Sequence, residues 1–366
     1  MTPPRFTILA EGAFGIESAK TAVSAIRYLP ERVSSILDSR YAGRDVADVI
    51  GFGAGVPILG TLDEALAREP RPDALLIGIA PQGGALPDVW RPLLESALDR
   101  GLDLWSGLHT FLSDDASLAA RARERGRALV DLRKPPPRLP VGTGRAQETG
   151  ALRVLTVGTD CNVGKMTTAL ETRRELEARG LATGFAATGQ TGILVAGSGI
   201  AVDAVVSDFV AGAAERVTLE AAAEKDVVLV EGQGSLLHPG YAGVTLGLLH
   251  GSMPQAMILC AMPSRPTIYG GNYDWVAIPP LDRVAALYEE ALGWARPDTS
   301  GLVVGVSLAT YDIGEDEARR AVEDAARVTG LPVTDPVRFG AGALAEAIAA
   351  RHADLATRAR ETVGGR

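Results

Sequence analysis

A glycine-rich loop that ends in a lysine lies between an apolar strand and a helix near the middle of the chain. The loop and the first residues of the helix read Gly-Thr-Asp-Cys-Asn-Val-Gly-Lys-Met-Thr-Thr over residues 158–168. Residues 153–157 before it form a short apolar run, and the helical pattern of residues 165–179 ends at Gly180, a typical C-cap residue. This order of strand, loop, lysine and helix predicts a phosphate-binding loop, the P-loop.

The residue types of the P-loop suit phosphate. Glycine lets the backbone turn tightly, so that successive N–H groups and the helix N-terminus point at phosphate oxygens, while Lys165 adds a positive charge. The residues predicted to hold the phosphates are Gly158, Thr159, Asp160, Cys161, Asn162, Val163, Gly164, Lys165, Met166, Thr167 and Thr168.

The P-loop departs from the commonest pattern at two points. Five residues separate Gly158 from Gly164 instead of four, and Met166 follows the lysine where a serine or threonine normally supplies a hydroxyl to magnesium. A thioether is a poor ligand for a hard cation. The loop therefore predicts phosphate binding and weakens the case for ATP hydrolysis.

Composition excludes several classes of protein. A formal net charge of -9 without clustered Lys and Arg argues against nucleic acid as a partner, and leaves a small-molecule substrate. Two cysteines and four histidines show no metal-ligand spacing, so no metal site and no disulfide framework are expected. No signal peptide and no apolar run of membrane-spanning length are found, which predicts a cytoplasmic protein without a membrane partner.

The 366 residues predict an α/β chain with two domains. Residues 1–135 alternate short apolar strands with amphipathic helices, which favours a Rossmann-like parallel sheet. Residues 136–150 are rich in Pro and Gly and are expected to be a linker. Residues 151–366 are expected to form a doubly wound P-loop NTPase-like domain, with helices that include 203–214, begun by Asp203 as N-cap, and 341–361.

Three side chains are candidates for acid–base chemistry. Glu231 follows the apolar run of residues 227–230, at the strand edge that faces the ligand crevice in open α/β sheets. It is predicted to be a general base or a magnesium-holding carboxylate, with the capping of a turn as the plainer alternative. His238 and Asp208 are the next candidates, although a structural histidine is the commoner outcome for His238.

Further polar residues follow the same predicted strands. Gln190 and Thr191 offer neutral donors and acceptors, and Arg265 suits a bidentate grip on a carboxylate. The backbone N–H groups of residues 232–235 are candidates to hold a developing oxyanion. The residues predicted to bind substrate are Gln190, Thr191, Gln233, Ser235 and Arg265.

The P-loop resembles that of dethiobiotin synthetase, including the aspartate after Gly-Thr. Other motifs extend a second resemblance over almost the whole chain, at residues 79–84, 106–109, 112–115, 189–192, 231–235 and 249–251. Together they are similar to a P-loop NTPase-like family long catalogued as a domain of unknown function, whose characterised members are D-glutamate N-acetyltransferases.

This resemblance implies an acyltransferase that uses acetyl-CoA, whose phosphates the P-loop holds without hydrolysis, in a D-amino-acid catabolic route. The main alternative is a ligase or kinase of the dethiobiotin synthetase type that uses ATP with magnesium. A non-catalytic nucleotide-sensing protein is a third possibility. Whichever holds, an α/β pair of this kind is expected to assemble as a homodimer or larger homo-oligomer.

Overall fold

The structure is a computed structural model that describes residues 3–79, 84, 86–294 and 301–364, with side chains up to residue 357. Most of the motif at residues 79–84 therefore lies outside the described residues. The described strands are β1 (Phe6–Leu9), β2 (Val33–Leu37), β3 (Ile58–Leu59), β4 (Ala74–Ile77), β5 (Asp103–Ser106), β6 (Leu129–Asp131), β7 (Leu152–Gly158), β8 (Thr183–Ala186), β9 (Val227–Val230), β10 (Ala256–Ala261), β11 (Leu302–Leu308) and β12 (Val333–Thr334).

The described α-helices alternate with these strands. They are α1 (Lys20–Tyr28), α2 (Ala47–Ile50), α3 (Leu62–Leu66), α4 (Arg91–Asp99), α5 (Ala116–Arg125), α6 (Lys165–Ala178), α7 (Gln190–Ala196), α8 (Val210–Ala222), α9 (Ala242–Ser252), α10 (Leu281–Gly293), α11 (Glu315–Thr329) and α12 (Gly342–Gly364). None of the helices in the described ranges is long and apolar enough to cross a membrane.

The chain divides into two compact units, each built on a six-stranded parallel sheet. The first unit comprises Met1–Pro135 and Gln190–Ala204, and its strand order is β3-β2-β1-β4-β5-β6. The second unit comprises Pro136–Gly189 and Val205–Arg366, and its strand order is β12-β11-β10-β7-β9-β8. All strand pairs in both sheets are parallel, so the predicted α/β fold class is confirmed.

The P-loop strand β7 is central in its sheet. It pairs with β10 on one side and β9 on the other, and all seven of its residues are buried. A strand covered on both faces is rich in apolar residues, as Val154, Leu155 and Val157 are here, while the buried Arg153 donates from Nε to Met253 O at 2.9 Å. Because the strands are parallel, the loops after β7, β8, β9 and β10 all leave the same edge of the sheet.

The prediction of a helix over residues 203–214 is wrong. Residues Val202–Ala204 and Ser207–Phe209 form separate 3-10 turns, and α8 begins only at Val210. Asp203 is therefore no N-cap. Its carboxylate pairs instead with the buried guanidinium of Arg133, and the chain passes from the first unit to the second after Ala204.

Helix α9 was not predicted, because its glycines resemble a loop. These glycines serve close helix packing: a Cβ on Gly251 would lie 2.2 Å from the carbonyl oxygen of Ala211 in α8, and one on Gly247 would lie 2.4 Å from Val210 Cγ1. A helix that lacks Cβ atoms along one face can approach its neighbour until the backbones touch. The glycines of α9 are therefore packing residues.

The segment expected to be a linker is bound to α8. The buried carboxylate of Glu215 accepts bonds from Thr143 N at 2.9 Å, Thr143 Oγ1 at 3.0 Å and Arg145 N at 2.8 Å. Hydrogen bonds to backbone N–H groups satisfy a carboxylate that burial would otherwise penalise. Residues 143–145 are consequently fixed to α8 within the second unit.

Candidate active site around the P-loop

The P-loop adopts the conformation that the sequence predicts. β7 ends at Gly158 and α6 begins at Lys165, and both Asn162 (φ 54°) and Gly164 (φ 89°) lie in the left-handed region. Thr168 N donates to Gly164 O at 2.8 Å in the first bond of the helix. The N–H groups ahead of it at the start of α6 therefore point out of the helix end, where an anion binds.

Lys165 lies inside the loop with little exposed surface. Its Nζ donates to the carbonyl oxygen of Asp160 at 2.7 Å, and its side chain is 8% exposed. Gly158 leaves the space for this arrangement, since a Cβ there would lie 3.1 Å from Lys165 Nζ and 2.8 Å from Val163 Cγ2. The ammonium group is thereby held at the turn of the P-loop.

Asp160 connects the P-loop to the segment after β10. Its Oδ1 accepts the N–H of Cys161 at 2.6 Å, and its Oδ2 accepts the N–H of Tyr269 at 2.8 Å. Arg265, predicted to hold a substrate carboxylate, lies 3.7 Å from Asp160 Oδ2 and donates to Cys161 O at 3.1 Å. In this arrangement its Nη1 supports the loop, and its contact with substrate stays a prediction.

Tyr288 in α10 is a further part of the site that the sequence analysis missed. Its hydroxyl donates to Gly158 O at 2.7 Å and accepts the N–H of Leu236 at 3.1 Å. The residue is fully buried and joins the P-loop to the loop after β9. In the sequence it is only one apolar position of an amphipathic helix, so no local signal separates it from ordinary core residues.

Tyr288→Phe is predicted to cost about 1–3 kcal/mol of stability at neutral pH, because backbone groups of Gly158 and Leu236 lose their partner. Burial raises the pKa of Tyr288 from 10.0 to about 12 and that of Cys260 from 9.0 to about 11. Each group keeps its proton up to a higher pH in the folded state than in the unfolded state. Stability should therefore be complete below pH 9 and fall as pH rises towards 12, by about 1.4 kcal/mol per pH unit for each group in its range.

Urea unfolding followed by circular dichroism from pH 8 to 12 measures this fall. Tyr288→Phe should lose about 1.4 kcal/mol per pH unit of the slope between pH 10 and 12 and keep the Cys260 part up to pH 11, while the control Tyr241→Phe, a residue that is 53% exposed, should retain both parts. An unchanged slope in Tyr288→Phe would contradict the assignment of that part of the slope to Tyr288.

Two of the three predicted phosphate-binding residues after Lys165, Met166 and Thr168, face the interior, while Thr167 is half-buried. Met166 is 3% exposed, and the Thr168 hydroxyl lies 2.7 Å from the hydroxyl of Ser307 in β11 and 3.5 Å from the thiol of Cys260 in β10. Thr168 was predicted to contact phosphate, but its hydroxyl is used for packing α6 on the sheet. Neither residue presents a hydroxyl at the position that holds magnesium in common P-loops.

Glu231 is placed as predicted, at the carboxyl end of β9, and is 3% exposed. Its Oε2 accepts the N–H groups of Thr188 and Gly189, each at 3.0 Å. These bonds fix the carboxylate and order the loop after β8. The plainer alternative had Glu231 cap the turn after its own strand β9, but these bonds go to the loop after β8, and the acid–base role of Glu231 stays a prediction.

His238 is buried beside the P-loop between the rings of Tyr241 and Tyr273, with centroid distances of 4.4 and 4.6 Å. Its Nδ1 accepts the N–H of Gly240 at 3.1 Å, so the neutral ring carries its proton on Nε2. Burial lowers the pKa of His238, and the charge of Asp160 only partly opposes this effect. The ring is therefore neutral at pH 7.

His238, Cys161 and Asp160 form a cluster in which one ligand atom of each lies within 4.8 Å of the others. Such a set of nitrogen, sulfur and oxygen atoms is a possible cation site. Nδ1 of His238 and both carboxylate oxygens of Asp160, however, already accept backbone N–H groups. A metal ion at Nδ1 of His238 would compete with the Gly240 bond, whereas each Asp160 oxygen keeps a second lone pair, so we assign no metal to this cluster.

The other predicted residues lie in different places. Ser235 is buried and its Oγ accepts the N–H of Leu237 at 3.1 Å, while Gln233 donates from Nε2 to Thr188 Oγ1 at 3.3 Å. Both therefore belong to the loops around Glu231. Asp208 is exposed on the turn before α8.

Gln190 and Thr191 pack within the first unit. A Cβ on Gly107 would lie 2.7 Å from Gln190 Cγ, and the Thr191 hydroxyl lies 3.2 Å from that of Thr21. Gly189, which Glu231 binds, is the last residue of its segment in the second unit. The next residue, Gln190, begins α7, which belongs to the first unit. Sequence spacing alone gives no sign of this change of unit.

Comparison with known families identifies the chain. The family described as "Domain of unknown function (DUF1611_C) P-loop domain" matches residues 140–345, and "Domain of unknown function (DUF1611_N) Rossmann-like domain" matches residues 39–135. The chain belongs to the DUF1611 family. The resemblance inferred from the sequence motifs is thereby confirmed.

Two curated DUF1611 relatives carry the name D-glutamate N-acetyltransferase. The protein from Tritonibacter scottomollicae is 44% identical over 82% of this chain and 88% of its own length. The protein from Pseudoalteromonas sp. is 37% identical over 72% of this chain and 78% of its own length. These relatives confirm the predicted enzyme class, an acyltransferase.

A solved DUF1611 structure supports the fold. The crystal structure of a family protein from Anabaena variabilis matches with a TM-score of 0.88 and 39% identity, and covers 94% of this chain and 99% of that one. An agreement of this extent confirms the succession of a Rossmann-like sheet and a P-loop sheet.

Proposed function

We propose that this chain transfers an acetyl group from acetyl-CoA to the amine of D-glutamate. Relatives at 44% and 37% identity carry the name of that activity. Within the molecule, the observation that carries the proposal is the buried thioether of Met166 directly after Lys165. The loop keeps the lysine, glycines and helix start that bind phosphate, and at this position it lacks the hydroxyl that holds a magnesium nucleotide.

Coenzyme A fits such a loop because it carries a pyrophosphate and a 3′-phosphate that need binding without cleavage. Lys165 and the N–H groups at the start of α6 would hold these phosphates, with Gly158 leaving space for the lysine and Gly164 supplying the left-handed turn. Acetyl-CoA supplies the acetyl group as a thioester, which reacts with a neutral amine. The phosphate contacts supply binding and positioning in this account.

A proton acceptor is needed because D-glutamate carries an ammonium group at neutral pH. Glu231 remains the first candidate, since two backbone N–H groups hold its carboxylate in one orientation at the sheet edge. His238 is neutral, but its Nδ1 would have to release the N–H of Gly240 before it accepted a proton. Asp208 lies exposed before α8 and ranks third.

Stabilisation of the oxyanion is proposed for the loop after Glu231. The N–H of Gly232 already donates to Thr156 Oγ1 at 3.0 Å, so it is removed from the donors expected at residues 232–235. The N–H groups of Gln233, Gly234 and Ser235 remain the proposed donors. Gln190 and Thr191 remain proposals for binding the substrate, whereas Arg265, proposed for the same role from the sequence, already contacts Cys161 O and the face of the Tyr269 ring.

A thiol-release assay with acetyl-CoA across D- and L-amino acids tests the proposed activity. We expect release of coenzyme A with D-glutamate and at most background release with L-glutamate or D-aspartate. A parallel assay measures phosphate release from MgATP. Phosphate release without thiol release would instead support the ligase or kinase alternative.

A further inference from the structure

An exposed aromatic ring lies next to the P-loop in the second unit. Tyr269 is 66% exposed and belongs to the segment between β10 and α10. The segment is folded as a hairpin, with an antiparallel bridge between Thr267 and Ala277 and a bond from Ile268 N to Val276 O at 3.0 Å. Ile268 is buried, so the hairpin is anchored in the core while the ring of its neighbour faces solvent.

Two hydrogen bonds fix this hairpin to the P-loop. Tyr269 N donates to Asp160 Oδ2 at 2.8 Å, and Arg265 Nη1 donates to Cys161 O at 3.1 Å. Asp160 is 1% exposed, so water does not compete for the first of these bonds. The backbone of Tyr269 is consequently held next to the P-loop, unlike that of an isolated surface aromatic residue.

The guanidinium of Arg265 lies against one face of the Tyr269 ring, with its central carbon 4.6 Å from the ring centroid. This contact limits rotation of the ring and covers only that face. An aromatic ring held in this way can accept another flat ring on its second face. Nucleobases stack on such rings without needing particular hydrogen bonds.

We propose that Tyr269 stacks on the adenine ring of the coenzyme A moiety, with Arg265 supporting it from the opposite face. This inference rests on the proposed function, because adenine is joined through its ribose to the phosphates assigned to the P-loop. Asp160 then has a structural role in cofactor binding: it couples the part that holds phosphate to the part that holds the base.

Calorimetric titration compares coenzyme A with 4′-phosphopantetheine, which keeps one phosphate and lacks the whole 3′-phosphoadenosine 5′-phosphate part, so that only the first ligand can stack on Tyr269. Tyr269→Leu should weaken coenzyme A about 5- to 100-fold, the range that loss of a base–aromatic stack produces, and leave phosphopantetheine unchanged. Tyr269→Phe keeps the ring and should stay within about twofold of the wild type. In the acetyl-transfer assay, Tyr269→Leu should raise KM for acetyl-CoA with little change in kcat.

Trp294→Ala is the matched control, because Trp294 is an 84% exposed aromatic residue at the end of α10 that is not part of the hairpin. It should bind both ligands as the wild type does. Equal affinity of wild type and Tyr269→Leu for coenzyme A would overturn the stacking proposal alone, and so would an equal loss for both ligands. Absence of coenzyme A binding by the wild type would overturn the proposed function instead.

Discussion

Lys165→Ala is expected to weaken acetyl-CoA binding about 10- to 100-fold, because one charge-assisted bond to a phosphate is worth roughly 1.5–3 kcal/mol. The lysine is held at the phosphate-binding turn by its bond to Asp160 O and has 8% of its surface exposed. No other residue of the loop at 158–168 carries a positive charge. Calorimetric titration with acetyl-CoA in low-salt buffer measures the loss.

Two further variants separate the charge from the fold in this experiment. Lys225→Ala removes an exposed lysine of the same unit and should bind acetyl-CoA as the wild type does. Lys165→Arg keeps a positive charge and should recover part of the affinity, although a planar guanidinium fits a site built for a compact ammonium less well. Wild-type affinity in a folded Lys165→Ala protein would contradict phosphate binding by this loop.

Gly232→Ala is expected to destabilise the second unit by about 3 kcal/mol or more, at the upper end of single-residue effects. A Cβ at this position would lie 1.7 Å from the carbonyl oxygen of Thr156 and 2.8 Å from its carbon. Both atoms belong to the backbone of β7, the central strand that ends in the P-loop. The strand cannot move away without breaking its pairing with β9 and β10.

The matched control is Gly243→Ala in α9. A Cβ there meets no atom within 4 Å, and alanine favours a helix by up to about 1 kcal/mol over glycine, so this variant should be as stable as the wild type or more so. Urea unfolding of the three proteins provides the comparison. A Gly232→Ala protein as stable as the wild type would show that β7 and the loop after β9 are not packed as described.

The parts that sequence could predict are those with a local signal. β7 is a short, mostly apolar strand, and the glycines and lysine that follow it have a fixed spacing, so strand, loop and helix could be located together. Glu231 was found for the same reason, since it ends the apolar strand β9. In both cases the residues that define the feature are neighbours in the chain.

The parts that sequence could not predict depend on contacts between distant segments. Tyr288 reaches Gly158 from a helix 130 residues away. Glu215 binds residues 143 and 145 from the interior of α8, where a glutamate ordinarily indicates a solvated face. The assignment of Gln190–Ala204 to the first unit is of the same kind, because no composition change marks it.

The central claim is that the P-loop around Lys165 holds a cofactor's phosphates and does not cleave a nucleotide. Its most direct test is the binding of acetyl-CoA in the absence of magnesium. Calorimetry with acetyl-CoA and with MgATP, each with and without EDTA, gives the answer on the wild-type protein. The account predicts that acetyl-CoA binds equally well with and without EDTA. Tight binding of ATP that requires magnesium, with no heat from acetyl-CoA, would contradict it.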